Sequence, residues 1–347
     1  MRNRLYLIAL IMIGMVAPAI PAQATFPGRD GTIAFRRYFN DDRTWGAVFT
    51  IRPDGSHERQ ITSPPVGFVD RNPDVSPDGR TIAFQREGAD CSVNCNYQQI
   101  FVVNIDGTGL RELTRQIDGT GCGTGGTCNF SPAWSPDGRR IAFERASGPF
   151  VDDLDEIDGI YVMNADGTHV RQVTEVNEPR LGGDGEPQWS PDGKMILFQR
   201  RNIRGALPAD GLAIWTLNLR TGTEFQVTPY ALRAGDTPDW SPDGRHILFH
   251  DNNDVDLGVV SANLYTIRPD GTDLHQLTFA QNGDLQYLGS SYSPDGRFIT
   301  FGRRPATGGT NADVYIMRAD GTHIEQVTKT KEYDSYPDWG SKPRGRH

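Results

Sequence analysis

The sequence predicts an all-β fold, a six-bladed β-propeller built from four-stranded blades. Two observations support this prediction. A tight-turn motif recurs along the chain with a second turn motif after each copy, and successive copies lie about fifty residues apart. A four-stranded unit repeated at such a period is typical of propeller blades.

The first motif is Ser-Pro-Asp-Gly, usually preceded by an aromatic residue and followed by Ile-x-Phe. Proline presets φ for the second turn position, and glycine takes the left-handed conformation that closes a hairpin. The alternating run after each turn predicts a strand. The motif occupies residues 76–79, 135–138, 190–193, 241–244 and 293–296.

The second motif is Asp-Gly-Thr, placed between two further predicted strands. One copy has diverged to Arg-Thr-Gly-Thr at residues 220–223. Each unit therefore contains a strand, a turn, a strand, a variable loop, a strand, a second turn and a strand. The regular copies lie at residues 106–108, 166–168, 270–272 and 320–322.

The two ends of the chain predict how the ring closes. Residues 28–62 carry a degenerate copy without its first strand, and residues 336–339 resemble the first-strand sequence of the other copies. We therefore predict that a C-terminal strand completes the N-terminal blade, giving six blades, and that Trp339 packs between blades.

These repeats together resemble the TolB-type propeller repeat over nearly the whole of residues 25–343. From the residues present we expect a propeller alone, without the α/β domain that precedes it in TolB or the hydrolase domain that follows similar propellers in prolyl oligopeptidase relatives. The resemblance implies a periplasmic scaffold protein.

Residues 1–24 have the pattern of a secretory signal. Arg2 and Arg4 precede an apolar run, and the small residues Ala22 and Ala24 predict cleavage after Ala24. The alternative is an uncleaved membrane anchor, but the run is short for a stable span and contains Pro18. We expect a periplasmic or secreted protein with one propeller domain at 25–343 and a disordered basic tail at 344–347.

The formal net charge of −9 argues against a nucleic-acid partner, which requires a basic surface. We expect a monomer that binds a protein or cell-envelope partner. We expect its short turns to lie together at one end of the propeller, which we call the turn end. Its long loops should lie at the opposite end, which we call the variable end. Binding usually resides in variable loops on a rigid scaffold. The loops joining second to third strands span residues 38–46, 87–98, 146–158, 201–211, 251–262 and 304–311.

Four cysteines follow the signal: Cys91, Cys95, Cys122 and Cys128. In an exported protein they predict two disulfides, with three possible connectivities. A zinc site made by all four thiolates is the alternative.

Calcium is the one cofactor that a pattern in the sequence indicates. Asn252, Asp254 and Asp256 alternate as in a calcium loop, but Gly258 falls one place later than the EF-hand pattern requires. A solvated acidic loop is the preferred interpretation.

A basic residue recurs two places beyond the second-strand phenylalanine, on the same strand face as that ring. These arginines either pair with loop carboxylates and tie blades together, or surround the channel mouth and bind an acidic ligand. The fifth blade has Asp251 at this position. The repeated residues are Arg37, Arg86, Arg145, Arg200 and Arg303.

The sequence contains no Gly-x-Ser-x-Gly, His-Glu-x-x-His or phosphate-binding Gly-Lys-Ser/Thr motif. The leading hypothesis is a non-enzymatic binding scaffold that acts through its long loops. The alternative is a lyase acting on acidic saccharides, as in similar propellers of oligogalacturonate lyases. Arg200, His250 and Arg303 would then serve with a metal.

Overall fold

The computed structural model describes ten segments of the chain, and every structural statement below refers to them. Within them the protein is all-β, with one turn of 3₁₀ helix at Tyr230–Leu232. No helix among these residues is long and apolar enough to cross a membrane. The segments are residues 30–89, 97–115, 126–147, 157–174, 181–202, 211–235, 237–251, 262–280, 285–305 and 311–343.

Four antiparallel sheets contain four strands each, in sequence order. The first holds β8 (Thr127–Trp134), β9 (Arg140–Ser147), β10 (Ile157–Asn164) and β11 (Arg171–Gln172). The second holds β12 (Leu181–Trp189), β13 (Met195–Asn202), β14 (Gly211–Asn218) and β15 (Glu224–Gln226). The third holds β16 (Asp239–Trp240), β17 (Ile247–His250), β18 (Leu264–Ile267) and β19 (His275–Gln276). The fourth holds β20 (Leu285–Tyr292), β21 (Phe298–Pro305), β22 (Asp313–Arg318) and β23 (Glu325–Gln326).

An eight-stranded sheet contains two further sets of four, joined by one parallel bridge between Gly46 and Val69. One set holds β4 (Phe68–Val75), β5 (Thr81–Gly88), β6 (Gln98–Asn104) and β7 (Arg111–Glu112). The other holds β24 (Tyr333–Ser341), β1 (Asp30–Tyr38), β2 (Gly46–Ile51) and β3 (Arg59–Gln60). The predicted all-β propeller with four-stranded blades is confirmed. We call β24, β4, β8, β12, β16 and β20 the inner strands.

The hydrophobic core lies between neighbouring sheets. The phenylalanine of each Ile-x-Phe run is fully buried. Most of these rings lie against an aromatic ring on the next strand, as Phe84 does on Phe101 with centroids 5.7 Å apart. Apolar residues of β5 and β6 pack on Trp134 and Phe143 of the adjacent sheet. Because each sheet buries its faces against its neighbours, 347 residues need no single thick core.

The Ser-Pro-Asp-Gly turns share one hydrogen-bond pattern. The serine hydroxyl donates to the aspartate of the same turn, at 2.7 Å for Ser76 and Asp78, and accepts the N–H of the residue that starts the next strand. The turn glycines have φ near +70°, as in Gly79. Only glycine adopts this conformation without strain, so the turn chemistry predicted from the sequence is present.

Each inner strand, or the residue leading into it, contains a backbone irregularity that the sequence did not predict. One residue per strand has φ between +44° and +52°, and only one of the six is glycine. Register shifts against the second strand occur beside five of them, as expected for β-bulges. The residues are Asn72, Ser131, Glu186, Thr237, Gly289 and Tyr336.

The C-terminal strand β24 pairs antiparallel with β1, with Tyr333 opposite Tyr38 and Ser341 opposite Asp30. Trp339 is 3% exposed and packs with Phe35 of β1 and Val314 of β22. The two ends of the propeller sequence therefore share one sheet.

Candidate functional site

The inner strands surround a narrow channel with a cavity of 50 Å³. All six bulge residues line it, and so do three aspartates that directly precede an aromatic or apolar residue of their strand, Asp74, Asp239 and Asp338. Strand alternation and the bulge together turn these polar side chains toward the axis. The channel wall is therefore acidic.

The three aspartates connect neighbouring inner strands. Each carboxylate accepts the backbone N–H of the aromatic or apolar residue at the equivalent place on the following strand. The distances are 2.7 Å from Val75 to Asp338, 2.6 Å from Trp134 to Asp74 and 2.8 Å from Tyr292 to Asp239. Ser291 does the same on β20, where its hydroxyl accepts the N–H of Trp339 at 3.3 Å. These contacts hold adjacent sheets in register around the channel.

Burial also makes the charged form of these aspartates unfavourable at neutral pH. Desolvation, followed by repulsion from Asp338, raises the pKa of Asp74 well above its usual value. Desolvation raises the pKa of Asp338 to about 6, although hydrogen bonds from Val75 and Ser291 oppose the rise. The channel is therefore expected to take up protons between neutral and mildly acidic pH.

A first prediction concerns stability against pH. The folded protein binds the Asp338 proton more tightly than the unfolded chain, so this carboxyl stabilises the fold at pH 5 and loses that contribution as the pH rises through about 6. Asp338→Asn is expected to remove about 1–2 kcal/mol of this pH dependence. The measurement is a urea melt at pH 5 and pH 7.5.

Asp243→Asn is the matched control for the pH experiment. Burial opposes the charge of Asp243, but hydrogen bonds from Ser241 and the N–H of Arg245 lower its pKa, so it titrates below this window. An unchanged pH dependence in Asp338→Asn would contradict the prediction.

The structure pairs three of the repeated arginines, Arg37, Arg86 and Arg200, with a buried aspartate on the inner strand of their own sheet. Arg86 donates to both carboxylate oxygens of Asp70 on inner strand β4, at 2.6 and 2.8 Å. Arg37 and Arg200 are buried in the same way and hold a second carboxylate each. Their partners are Asp334 and Glu58 for Arg37, and Asp184 and Glu224 for Arg200.

Each of these guanidiniums also lies over the aromatic ring of the third strand, for example 4.8 Å above Phe101 for Arg86 and 4.8 Å above Trp215 for Arg200. Burial opposes the charge, but hydrogen bonds to Asp184 and Glu224 raise the pKa of Arg200, so it stays charged. Arg37, Arg86 and Arg200 therefore each connect strands within their own sheet.

The other two arginines of the series make different contacts. Arg145 donates to the amide oxygen of Asn129 at 2.9 Å. The guanidinium of Arg303 lies 5.1 Å from the Tyr315 ring centroid, and no acidic side chain of the described segments is paired with it. In the sheet where Asp251 replaces the arginine, Asp251 accepts the N–H of Asn263.

His250 lies beside Asp251 at the end of β17 and is 4% exposed. Its Nδ1 is 3.3 Å from the Asp251 carbonyl oxygen, and its buried Nε2 has no hydrogen-bond partner among the described residues. Arg200, His250 and Arg303 belong to three different sheets. Over the described segments, no group of three or more His, Cys, Asp or Glu side chains is arranged to hold a metal ion.

A group of arginines and tyrosines lies where β24, β1 and β4 meet. Arg36 is 6% exposed, and its Nε donates to Ser335 at 3.0 Å. Its guanidinium lies 4.2 Å from the Tyr336 ring centroid and 4.8 Å from that of Tyr38. We call this group the mouth cluster; its members are Arg36, Arg43, Arg71, Tyr38, Tyr333 and Tyr336.

Sequence reasoning missed both the acidic channel wall and the mouth cluster. It followed the residue two places beyond the phenylalanine, whereas Arg36 stands one place beyond Phe35. Asp74, Asp239 and Asp338 carried a usable signal, since aspartate recurs directly before the inner-strand aromatic or apolar residue.

Several predicted site residues lie outside the described segments: Cys91, Cys95, Cys122, Asn252, Asp254 and Asp256. Cys128 is fully buried on β8. The predicted disulfides and the calcium loop therefore stay predictions.

No protein-family model matches the chain. The TolB structure from Acinetobacter baumannii superposes with a TM-score of 0.66 at 17% identity, covering 92% of this chain and 69% of that one. The fold is a TolB-type β-propeller.

Curated relatives match only parts of this TolB-type propeller. The Tol-Pal system protein TolB of Alcanivorax borkumensis is 34% identical over 84 residues, which is 24% of this chain and 17% of the relative. Dipeptidyl-peptidase 5 of Porphyromonas gingivalis is 30% identical over 118 residues, or 34% of this chain. The matched part spans 17% of that peptidase.

Proposed function

We propose that this protein is an exported, non-enzymatic scaffold that binds a protein partner at the cell envelope through its variable end. The TolB-type fold supports this proposal, and so does the predicted signal at residues 1–24. Export would place the protein in the periplasm or outside the cell, where the four cysteines could form two disulfides.

The observation that carries the proposal is a difference between the two ends. At the turn end the aspartates are used internally: Asp106 and Asp320, for instance, each accept the N–H and the hydroxyl of the threonine two places later. At the variable end, Arg36 and Arg43 have no acidic partner within the described segments. Unsatisfied charge on a rigid frame is what a binding surface offers.

The proposal includes six blades in a closed ring. The eight-stranded sheet counts as two blades, because it contains two sets of four strands. Together with the four other sheets this makes six blades. The pairing of β24 with β1 and the Trp339 N–H bond to Ser291 support closure between the first and last blades.

A second prediction tests where binding resides. Replacing residues 203–210 by a short Gly-Ser linker is expected to abolish capture of the partner and leave the melting midpoint within a few degrees, because these residues lie in a predicted variable-end loop. The measurement is chemical cross-linking in cells followed by affinity purification and mass spectrometry.

Asp320→Ala at the turn end is the control for this loop replacement. It removes two hydrogen bonds from Thr322 at an exposed turn, so it should lower stability only slightly while capture is retained. Loss of capture in Asp320→Ala together with normal capture after loop replacement would move the interface to the turn end and overturn the proposal.

A further inference from the structure

The mouth cluster holds more positive charge than its surroundings neutralise. Arg36 is buried, yet its one hydrogen bond goes to the neutral hydroxyl of Ser335. Arg71 pairs with Glu87, but its buried Nε has no hydrogen-bond partner within the described segments. A buried guanidinium usually pairs with a carboxylate, as Arg37, Arg86 and Arg200 do in this protein.

Two further arginines lie nearer the surface of the same region. The Arg43 and Arg304 guanidiniums stand 4.1 Å and 5.9 Å from the centroid of one ring, that of Tyr333. Arg304 donates to the amide of Gln286, and neither arginine has a carboxylate within ion-pair distance among the described residues. Both are half-buried, so their open N–H groups remain accessible.

A cleft of 170 Å³ opens beside these side chains, lined by Tyr38, Arg43, Lys331 and Tyr333 among others. Exposed Asp41 and Glu332 stand at its edge, but neither forms an ion pair with Arg43 or Lys331 in the described part of the chain. The cleft has room for one carboxylate-bearing side chain.

We propose that the mouth cluster, together with Arg304, binds an acidic peptide segment of the protein partner. This inference rests on the proposed function and names the chemistry that the variable end recognises. The site stands out as positive on a chain of net charge −9, so an acidic segment is directed to this place.

The geometry suits an extended peptide. Residues i and i+2 of an extended chain point to one side, about 7 Å apart, and can place two carboxylates on the two guanidiniums that share the Tyr333 ring. Arg36 lies against the Tyr38 and Tyr336 rings without a described carboxylate partner, and adds positive potential without needing contact.

The experiment uses a fluorescein-labelled hexaglutamate peptide and fluorescence anisotropy at 50 mM and 300 mM NaCl. The full mature chain is expected to bind at 50 mM salt and more weakly at 300 mM. Arg43→Gln combined with Arg304→Gln should weaken binding about tenfold or more, because both charge-assisted contacts are lost.

The matched control is Arg245→Gln combined with Arg268→Gln. It removes the same charge from the turn end, where both side chains are exposed. Binding within twofold of the unmodified protein is expected. Equal weakening in both double variants would mean non-specific attraction and would overturn the proposal, as would absence of binding at 50 mM salt.

Tri-galacturonate serves as a competitor to separate peptide from saccharide. If it binds at the cluster and the peptide does not, the peptide assignment is overturned. If only this inference is wrong, the peptide does not bind, but replacing residues 203–210 still abolishes partner capture. Partner capture that is retained after replacement of residues 203–210 would instead overturn the proposed function.

Discussion

Deleting residues 333–347 is expected to abolish the cooperative native fold or to lower its stability by several kcal/mol. The deletion removes all of β24, leaves β1 with an unpaired edge, and takes Trp339 out of the core between β1 and β22. It also removes Asp338, which accepts the N–H of Val75 on β4. An open edge of this length should promote aggregation. The measurement is a denaturant melt with light scattering.

Trp339→Ala separates the packing contribution from the loss of the strand. The indole is 3% exposed, so its removal is expected to cost about 3–5 kcal/mol. Deletion of residues 344–347 alone should change nothing, and Trp45→Ala, at a half-buried site, should cost much less. Equal midpoints for the 333–347 deletion and the full chain would mean that the ring closes without β24.

Asp70→Ala is expected to destabilise the protein by about 3–5 kcal/mol, because it leaves Arg86 buried without its carboxylate. Asp70 is fully buried and Arg86 is 9% exposed, so water cannot replace the lost partner. A urea melt at pH 7 measures the change.

The chain supplies a graded control for this experiment. Asp70→Asn recreates the pairing of Arg145 with Asn129 and should cost clearly less than the alanine variant. Combining Asp70→Ala with Arg86→Met should recover part of the loss, because the unpaired charge is gone. Lys194→Ala, which breaks an exposed pair with Asp192, should cost under about 1 kcal/mol. A loss in Asp70→Ala no larger than in Lys194→Ala would show that the buried pair does not stabilise the sheet.

Contacts between residues close in sequence were sufficient to predict much of the fold. The Ser-Pro-Asp-Gly turn depends on contacts within a few residues, such as Ser76 with Asp78, and the following Ile-x-Phe run depends only on strand alternation. These features could be identified from sequence because every partner lies within the same motif.

The bulges could not be anticipated in the same way. Asn72, Ser131 and Tyr336 each precede a proline and would ordinarily be extended, yet they have positive φ. Crowding of inner strands around a narrow channel offers a reason: the bulge bends each strand and turns a polar side chain to the axis. That requirement arises only when the sheets are assembled.

The candidate site, like the fold, was predictable from the sequence only in part. The sequence by itself determined the recurring turns, the buried phenylalanines and the position of the arginine series. The tertiary structure decided what those arginines do, because Asp70 and Asp184 stand 16 residues before their partners and Asp334 stands 297 residues after Arg37. It also left Arg36 and Arg43 without carboxylates in the described part of the chain. Whether a buried charge is neutralised depends on which strands become neighbours, and that depends on the packing of the whole ring.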